Sequence, residues 1–498
     1  MHPCTAVIDI GSNSARLVIY QESSQYGFHL ICERKSKVRI GEGAYEANGY
    51  LQPVGIHRAY LALKEFISTT QNYPVSKIIC VATSALRDAP NGKAFTQWIK
   101  KELNLKIEII DGKKEALFGA IAAQNLLPIQ DGITIDIGGG SSDLALIKNS
   151  KIIDTYSLNI GTVRLKELFF DNDKSIDEAK AFINKELKAL PLHFKSKQGI
   201  GIGGTARTLS KGIMKQIEYP LENIHAFSYK VSNYIEYFQN ISEAKSSILP
   251  YLYLPKGRFD TIREGTLIWQ NILEHIEAKK VITSGVGVRE GVFLHHFLEK
   301  SNFQFPKEIN PSIESILDRF KTTYLNNCQD RQINSQKLFQ LFEKQGKVKK
   351  KHIKELGYAI ALSPIGYRFN IYQSFQHAFY VAMQEFNYSI THKELLLTAT
   401  LLRFGGKGLY RKEIYDEYNP LLPKKRELSY LSFIYTLITT LFDQTAIKDF
   451  KFKLNGDELT IVANGSIYLA EEKLLEIERP KNLKLKIIDK KEIPNYEF

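Results

Sequence analysis

The chain has 498 residues, with 67 lysines and arginines against 54 aspartates and glutamates, a formal net charge of +13 and a pI near 9.2. Hydrophobic residues make up 44% and charged residues 24%, which excludes a disordered chain, a collagen and a small disulfide-stapled protein. The positive excess favours an anionic partner, such as nucleic acid, a phosphorylated metabolite, polyphosphate or a membrane surface.

The cysteines and the apolar segments indicate a cytoplasmic protein. Cys4, Cys32, Cys80 and Cys328 are far apart and form no CxxC pair, so we expect reduced thiols. The N-terminus has no basic region followed by an apolar one, and no signal peptide is predicted. The segment from Leu428 to Phe442 is shorter than the roughly 20 apolar residues that cross a membrane. It is predicted to be a buried core helix, and no membrane partner is expected.

Up to about Pro306, short β-rich segments alternate with helical segments. Strands are predicted at Val7–Ile10, Leu17–Tyr20, Lys77–Ala82, Ile107–Ile110, Ile133–Ile137 and Leu144–Lys148. Helices are predicted at Arg58–Thr70, Ala94–Leu103, Lys114–Leu127 and Ser175–Leu190. This alternation predicts α/β layers.

After Pro306 the pattern changes to long, charged helical segments, such as Ser312–Leu325 and Ser335–Ala361. The tail changes again, since KFKLNGDELTIVANGS predicts two strands around an Asn-Gly turn. A helix at Tyr468–Ile477 and a strand LKLKII follow.

One segment of the chain occurs twice. AVIDIGSNSARLVIY near the start is echoed by ITIDIGGGSSDLALIK, and Asp9 and Asp136 begin the two turns, 127 residues apart. Each copy consists of a strand, a glycine-rich polar turn and a second strand. The duplication predicts two related lobes that offer their turns to a shared cleft.

The two turns have the composition of anion-binding loops, because glycines leave consecutive backbone N–H groups accessible. The candidate phosphate-binding residues are Gly11, Ser12, Asn13, Ser14, Gly138, Gly139, Gly140, Ser141 and Ser142. Carboxylates beside such loops suit a hydrated Mg²⁺, which takes one or two carboxylates plus phosphate oxygens. The candidate metal ligands are Asp9, Asp136 and Asp143.

An ordered set of motifs resembles the exopolyphosphatase/guanosine pentaphosphatase family, a branch of the actin, sugar-kinase and heat-shock-chaperone superfamily. The resemblance covers roughly Ala6 to Phe297. The motifs are IDIGSNSARLVI, ATSALRDAPNG, EIIDGKKEALFGA, IDIGGGSSDLALI, LNIGTVRLKELF, GIGGTARTLS, GRFDTIREGTLIW and TSGVGVREGVFL.

The resemblance implies an α/β fold of two duplicated actin-like (ribonuclease H-like) lobes facing a cleft, at residues 1–130 and 131–303. An α-helical HD-like domain at 304–445 and a small α/β module at 446–498 are expected to follow. The implied activity is Mg²⁺-assisted release of terminal phosphate from inorganic polyphosphate or from guanosine pentaphosphate. A homodimer is also expected.

The resemblance also implies roles for two side chains. Glu115 matches the carboxylate that activates the attacking water, and the alternative is that it only stabilises a helix N-terminus. Lys114 stands where the family usually has an acidic residue. Arg87 matches a phosphate-contacting arginine, whose alternative is a local ion pair with Asp88.

Other matched residues keep open roles. Arg164, Arg258 and Arg289 are expected either to line a path for the anionic substrate or to brace the second lobe. Gly201–Thr205 matches the adenosine loop of the ATP-using relatives, and here it is either functional or an architectural remnant.

In the HD-like region the metal-binding pattern is degenerate. Ser363-Pro364 replaces the His-acid pair, and His377 and His392 lack partners at ligand spacing, so no second metal site is expected. Basic runs at Lys347–Lys351, Lys424–Arg426 and Arg479–Lys491 are either solvated faces or guides for a polyanion. Nucleic acid is not expected, because the chain has no nucleic-acid-binding motif.

Two further functions stay open. One is a non-catalytic sensor of polyphosphate or nucleotide, and the other is an ATP-dependent kinase of the same superfamily. Only the hydrolase is expected to release free phosphate when no acceptor is added, which distinguishes it from both alternatives.

Overall fold

The computed structural model describes residues 2–44, 47–172, 174–320, 327–404, 408–409 and 411–489. They form two compact units, Met1–Pro311 and Ser312–Phe498. The first unit contains two mixed β-sheets covered by helices, and the second consists of helices and a small sheet.

The first unit has eleven strands among its described residues: β1 (Cys4–Ile10), β2 (Ala15–Glu22), β3 (Phe28–Ser36), β4 (Val75–Ala82), β5 (Ile107–Ile109), β6 (Gly132–Ile137), β7 (Ser142–Lys148), β8 (Lys151–Leu158), β9 (Gln198–Ile202), β10 (Ser228–Lys230) and β11 (Lys280–Thr283). Its helices are α1 (Pro53–Thr70), α2 (Ser84–Asp88), α3 (Gly92–Leu103), α4 (Gly112–Leu126), α5 (Thr162–Leu165), α6 (Ile176–Leu187), α7 (Gly203–Gln216), α8 (Ile235–Glu243), α9 (Ile262–His275) and α10 (Val288–Phe297).

The two sheets repeat one topology. The first has the order β3-β2-β1-β4-β5, and the second has the order β10-β11-β9-β6-β7-β8. In each, three antiparallel strands joined by hairpins precede two parallel strands reached by crossovers, and the second sheet has the additional edge strand β10, antiparallel to β11. The central strands β1 and β6 are largely buried on both faces, as expected for strands covered by helices. The duplication predicted from the two Ile-Asp-Ile-Gly segments is therefore present in the strand order.

Helices α4 and α10 pack closely together beside the two sheets. A Cβ atom on Gly291 of α10 would lie 1.8 Å from the Phe118 carbonyl oxygen of α4, so only glycine allows this approach. Glu290 of α10 accepts a buried 2.8 Å hydrogen bond from the Tyr20 hydroxyl of β2. The first sheet is thereby joined to α10, which follows the last strand of the second sheet.

The second unit comprises α11 (Pro311–Phe320), which begins at the unit boundary, α12 (Cys328–Lys344), α13 (Ile353–Leu362), α14 (Ser374–Glu385), α15 (His392–Arg403), α16 (Lys412–Tyr418), α17 (Lys425–Gln444), β12 (Phe450–Asn455), β13 (Glu458–Ala463), α18 (Tyr468–Glu476) and β14 (Lys484–Ile488). The sheet order is β12-β13-β14. Asn334 of α12 joins the helices to this sheet, since its side-chain amide donates to the Lys448 carbonyl at 3.0 Å and accepts from the Phe450 amide.

Most of the predicted elements are confirmed, with shifts of a few residues at their ends. The tail strands, its helix and the core helix that contains Leu428 to Phe442 are also present. The prediction of one continuous helical segment at Ser335–Ala361 is wrong. It is interrupted after Lys344, where Gly346 adopts a φ of +68° that ends a helix readily. Part of Ser312–Leu325 lies outside the described residues.

The domain boundaries at residues 130, 303 and 445 stay predictions. All four cysteines are free, and Cys4, Cys32 and Cys80 are buried. In the described ranges, no helix has the length and apolar character needed to cross a membrane.

Candidate active site

Both duplicated hairpins end at one cleft in the first unit, with a cavity volume of about 480 Å³. Ten of the sequence-predicted site residues line it: Asp9, Gly11, Ser12, Asn13, Ser14, Glu115, Asp136, Gly138, Gly139 and Ser141. Residues more than a hundred positions apart in the chain are therefore brought to one place.

The first turn is closed by its own backbone, because the Gly11 amide donates to the Ser14 carbonyl at 3.1 Å. The carbonyls of Ser12 and Asn13 accept from the amides of Gly41 and Arg39 at 3.2 and 3.0 Å. A trans peptide directs its N–H opposite to its C=O. The Asn13 and Ser14 amides therefore point away from the segment that holds the carbonyls.

The second turn is built in the same way. The Gly138 amide donates to the Ser141 carbonyl at 2.9 Å, and the carbonyls of Gly138 and Gly139 accept from Thr162 and Val163 at the start of α5. The Gly139 and Gly140 amides therefore point away from α5. In both turns the first glycine amide is used internally, so the amides available to an anion are the later ones.

Four predicted residues lie outside the lining of this cleft: Gly140, Ser142, Asp143 and Arg87. Gly140 is buried and faces a neighbouring cavity instead. Ser142 is fully buried, and its hydroxyl donates to the Ile160 carbonyl at 2.7 Å, so it is not available to a phosphate. Asp143 is buried behind the second turn and accepts hydrogen bonds from Ser157 and Ser141 at 2.5 and 3.3 Å.

One row of three paired residues crosses each sheet below its turn. In the first sheet Asp9 pairs with Arg16, and Arg16 pairs with Lys35. In the second sheet Asp136 pairs with Asp143, and Asp143 pairs with Ser157. Residues paired across strands point to the same face of a sheet. Both rows begin with an aspartate, but the middle position carries opposite charges in the two lobes, Arg16 in the first and Asp143 in the second.

Burial and mutual repulsion weaken the acidity of the carboxylates around the cleft. Burial raises the pKa of Asp9 to about 6 against the opposing effect of Arg289, and it also raises the pKa of Asp136. Burial and the Asp136 charge raise the pKa of Asp143 to about 7 although Ser157 lowers it. Burial, followed by Asp143 and Asp136, raises the pKa of Glu115 well above its ordinary value.

The space around Asp136 depends on the glycine that directly follows β9. Gly203 follows β9 with a φ of +77°, and a Cβ atom there would lie 2.1 Å from Asp136 Oδ1. Within the described part of the chain, the carboxylates of Asp9 and Asp136 accept no hydrogen bond and form no ion pair. Partly buried carboxylates without partners fit a divalent cation, which takes oxygen ligands of this kind.

Glu115 lies in the first turn of α4, where Asp111 caps the helix by accepting from the Lys114 amide at 2.7 Å. Its side chain is 15% exposed, and its carboxylate lies 3.4 Å from Nη1 of Arg87. Nε of Arg87 lies 3.4 Å from Asp88, and its Nη1 also donates to the Ile110 carbonyl at 3.2 Å. Arg87 therefore contacts both Glu115 and Asp88, and it does not line the cleft.

Six cationic side chains line the cleft against three carboxylates, and four of the six were missed from the sequence. Arg258 and Arg289 had been singled out, and the others are Arg16, Lys35, Arg207 and Lys211. Arg16 and Arg207 stand within matched motifs, two positions after a turn serine and an adenosine-loop threonine, and that placement was the available signal. Arg164 faces Asp88 at 3.6 Å instead and does not line the cleft.

The loop Gly201–Thr205, which matches the adenosine loop of the ATP-using relatives, is covered by the guanidinium of Arg258. A Cβ atom on Gly204 would lie 2.7 Å from Nη2 of Arg258, so this arginine lies directly against the loop backbone. Arg207 donates to the carbonyls of Ser284 and Val286 at 2.9 Å each. Gly203 and Gly204 line the cleft, whereas Thr205 is buried.

The second unit contains the two histidines singled out in the expected HD-like region. His377 of α14 packs its ring 5.6 Å from that of Phe369, and His392 is buried at the start of α15. In the ranges that the structure describes, no three histidine, cysteine or acidic side chains converge as metal ligands. Among the basic runs, Lys347 pairs with Asp457 at 3.2 Å, while Lys490 and Lys491 lie outside the described residues.

Known proteins resemble the first unit. A sequence model of the Ppx/GppA phosphatase family matches residues 18–300, more than half of the chain. A bifunctional 3-dehydroquinate synthase/phosphatase of Fusobacterium nucleatum is 32% identical over 303 residues, which are 56% of this chain and 44% of that protein. A guanosine-5′-triphosphate,3′-diphosphate pyrophosphatase of Pseudoalteromonas translucida is 28% identical over 63% of each chain. The match thus spans less than two thirds of these two relatives.

Two further matches cover nearly the whole length of the protein that is compared. Exopolyphosphatase 2 of Mycobacterium tuberculosis is 25% identical over 55% of this chain and 91% of its own length. The crystal structure of the Aquifex aeolicus Ppx/GppA protein is 29% identical, with a TM-score of 0.52 over 60% of this chain and 99% of that one. The sequence match and the structural match cover the same region, and the chain belongs to the Ppx/GppA phosphatase family.

Proposed function

We propose that this chain hydrolyses terminal phosphoanhydride bonds and releases orthophosphate from inorganic polyphosphate, from guanosine pentaphosphate, or from both. One observation carries the proposal. Unpartnered carboxylates, loop amides and six cationic side chains line a single cleft. A phosphoanhydride end needs cations and N–H donors for its oxygens, and an attacking water needs a carboxylate acceptor.

The amides of Asn13, Ser14 and Gly139 would hold the terminal phosphate oxygens, with the hydroxyls of Ser12 and Ser141 beside them. Backbone amides that are already directed by the fold stabilise developing charge without reorganising. Ser12 is itself positioned by Ser84, whose hydroxyl lies 3.1 Å from its own. Arg16 and Arg289 would neutralise the following phosphates, and both are held by Glu33 at 3.0 and 2.9 Å.

Glu115 would accept a proton from the attacking water. A general base works best when its pKa lies near the working pH, and burial and neighbouring carboxylates raise that of Glu115. Arg87, 3.4 Å away, would orient this carboxylate. We therefore place Arg87 as a positioning residue for Glu115, and its direct contact with phosphate stays a prediction from the resemblance.

Asp9 and Asp136 would hold a divalent cation such as Mg²⁺. Asp143, which is buried behind the second turn, would support Asp136 without contacting the cation. When bound, the cation would neutralise phosphate oxygens in the manner common to phosphoryl-transfer enzymes. Asp143 is already hydrogen-bonded to Ser157 and Ser141, which suits it to support rather than direct ligation.

The test is phosphate release from long polyphosphate and from guanosine pentaphosphate, assayed side by side with and without Mg²⁺. Glu115→Gln should abolish turnover while polyphosphate binding is retained. Glu108→Gln is the matched control, because Glu108 is half exposed and pairs with Lys114 on the same segment. Normal phosphate release by Glu115→Gln would remove Glu115 from the mechanism.

The same assay decides between the hydrolase and the alternatives. An ATP-dependent kinase would release little phosphate without an acceptor, and a sensor would bind the anions without turnover. Arg258 against the Gly204 backbone favours an anion over an adenine base at that loop. The homodimer and the cytoplasmic location stay predictions.

A further inference from the structure

A second cavity lies within the second unit, far along the chain from the cleft of the first. It has a volume of about 260 Å³ and lies between α12, the turn at residues 363–368, α14, α17 and α18. The polar side chains that matter for its chemistry are Arg331, Tyr367, Ser374, Tyr435, Thr440 and Asp443. None of them has a role in the proposed phosphatase reaction.

The wall of this cavity is organised around a buried ion pair. Arg331 is 1% exposed, and its Nη2 donates to Asp443 Oδ1 at 2.6 Å. Its Nε donates to the Asn327 side-chain oxygen at 2.9 Å, and the Tyr367 hydroxyl donates to Asp443 Oδ2 at 3.0 Å. The Asp443 carboxylate is thereby fixed in position from both sides, which is the condition for a preorganised binding group.

Asp443 retains capacity for a ligand. An ionised carboxylate offers about four acceptor positions, and the bonds from Arg331 and Tyr367 use one position on each oxygen. The Asp443 side chain is 27% exposed, so the remaining positions are reachable. Two acceptor oxygens side by side match two donors on adjacent carbon atoms of a ligand.

The charge of the cavity lining excludes the polyanions expected in the first unit. Arg331 and Lys473 are balanced by Asp443 and Glu476, and Lys473 lies 3.9 Å from Glu476. The remaining polar groups are mainly hydroxyls, which both donate and accept. A neutral lining of this kind suits a neutral ligand that carries hydroxyl groups, since a charged one would be left without compensation.

We propose that the second unit binds a neutral ligand with a vicinal diol, such as the ribose of a nucleoside or a free sugar. The two hydroxyls would donate to the two oxygens of Asp443. The hydroxyls of Ser374, Tyr435 and Thr440 would surround the rest of the ligand. This site is distinct from the phosphatase cleft, and it does not depend on the proposed reaction.

The test uses the full chain with adenosine, 2′-deoxyadenosine and methyl β-D-ribofuranoside as probes, followed by saturation-transfer NMR and calorimetric titration. Adenosine should bind at least tenfold more tightly than 2′-deoxyadenosine, which lacks the diol. Binding of the riboside as well would identify the sugar as the recognised part, and binding of adenosine alone would identify a nucleoside.

Two variants on α17 locate the site. Thr440→Phe fills the cavity and should abolish binding, whereas Ser429→Phe introduces the same side chain on the same helix outside the cavity lining. Equal affinity for adenosine and 2′-deoxyadenosine, or binding by neither nucleoside nor riboside, would overturn the proposal. Unchanged binding by Thr440→Phe, or equal loss in both variants, would also overturn it. Thermal unfolding of each variant shows that it is folded.

Discussion

The two lobes of the first unit share a backbone but differ in the row of residues below the turn. Asp9, Arg16 and Lys35 cross the first sheet, and Asp136, Asp143 and Ser157 cross the second at equivalent positions. The first row carries one negative and two positive groups, and the second carries two negative groups and a hydroxyl. The two turns share a backbone, and under the proposed function the side chains of the first row suit an anion whereas those of the second suit a cation.

This division explains the different environments of the two turn aspartates. Asp9 faces Arg16 across its hairpin, and the charges of Arg289 and Arg16 oppose the rise in the pKa of its carboxyl. Asp136 faces another carboxylate and its charge raises the pKa of Asp143, while Arg207 and Arg289, which are not in its row, oppose the rise in its own pKa. The second row has an excess of negative charge within its own sheet, which a divalent cation would relieve.

The largest expected effect is that of removing the Asp136 charge from the second row, which suits a cation. Asp136→Asn should lower Mg²⁺-dependent phosphate release by roughly 1,000-fold, the upper range for the loss of a group that stabilises transition-state charge. Asp9→Asn should cost less, because Arg16 lies beside it. Phosphate release measured across a Mg²⁺ titration and after chelation checks both, with exposed Asp177→Asn as control. Equal losses in the two variants would contradict the division between the rows.

Substitution of Arg16 tests whether the first row binds the anionic substrate. Arg16→Gln should raise the KM for polyphosphate by roughly 10- to 100-fold, as expected for loss of a charge-assisted contact. Arg16→Lys should recover only part of this, because a lysine cannot reproduce the planar fork that also pairs with Glu33. Steady-state kinetics separate KM from kcat, with Arg34→Gln on the neighbouring strand as control. A pure loss of kcat would argue against a binding role for this row.

A smaller effect is expected where the second sheet makes room for Asp136. Gly203→Ala forces a side chain into a φ of +77° and toward Asp136 Oδ1, so activity should fall about tenfold, the equivalent of ~1.4 kcal/mol. Gly257→Ala is the control, since a Cβ atom there meets nothing within 4 Å. The assay is phosphate release together with thermal unfolding. Full activity in Gly203→Ala would show that the Asp136 position is not critical.

The smallest effect concerns the end of the second row. Ser157→Ala removes the 2.5 Å hydrogen bond to Asp143, so activity should fall by about three- to tenfold, in line with the ~1 kcal/mol of an ordinary hydrogen bond. The counterpart in the first row, Lys35→Ala, should instead weaken polyphosphate binding. Comparison of kcat and KM for the two variants is the measurement. The same kinetic signature in both would indicate that the rows do not have separate roles.

The sequence alone was sufficient for the turns, the strands around them and the family. Ile-Asp-Ile-Gly repeated at Asp9 and Asp136 is a local signal, because a buried strand followed by a glycine turn is encoded by adjacent residues. The motif around Glu115 is likewise contiguous. These features do not depend on distant parts of the chain, so they could be predicted without a structure.

Tertiary structure decided which side chains face the cleft and which partners they have. Arg16 and Lys35 come into one row with Asp9 through strand register, and a shift of one residue would have turned each of them to the other face. The inward hydroxyl of Ser142 and the contact between Arg87 and Glu115 likewise join segments that are separate in the chain. Pairing register and helix packing set such contacts over long sequence separations, and no local pattern of residues encodes them.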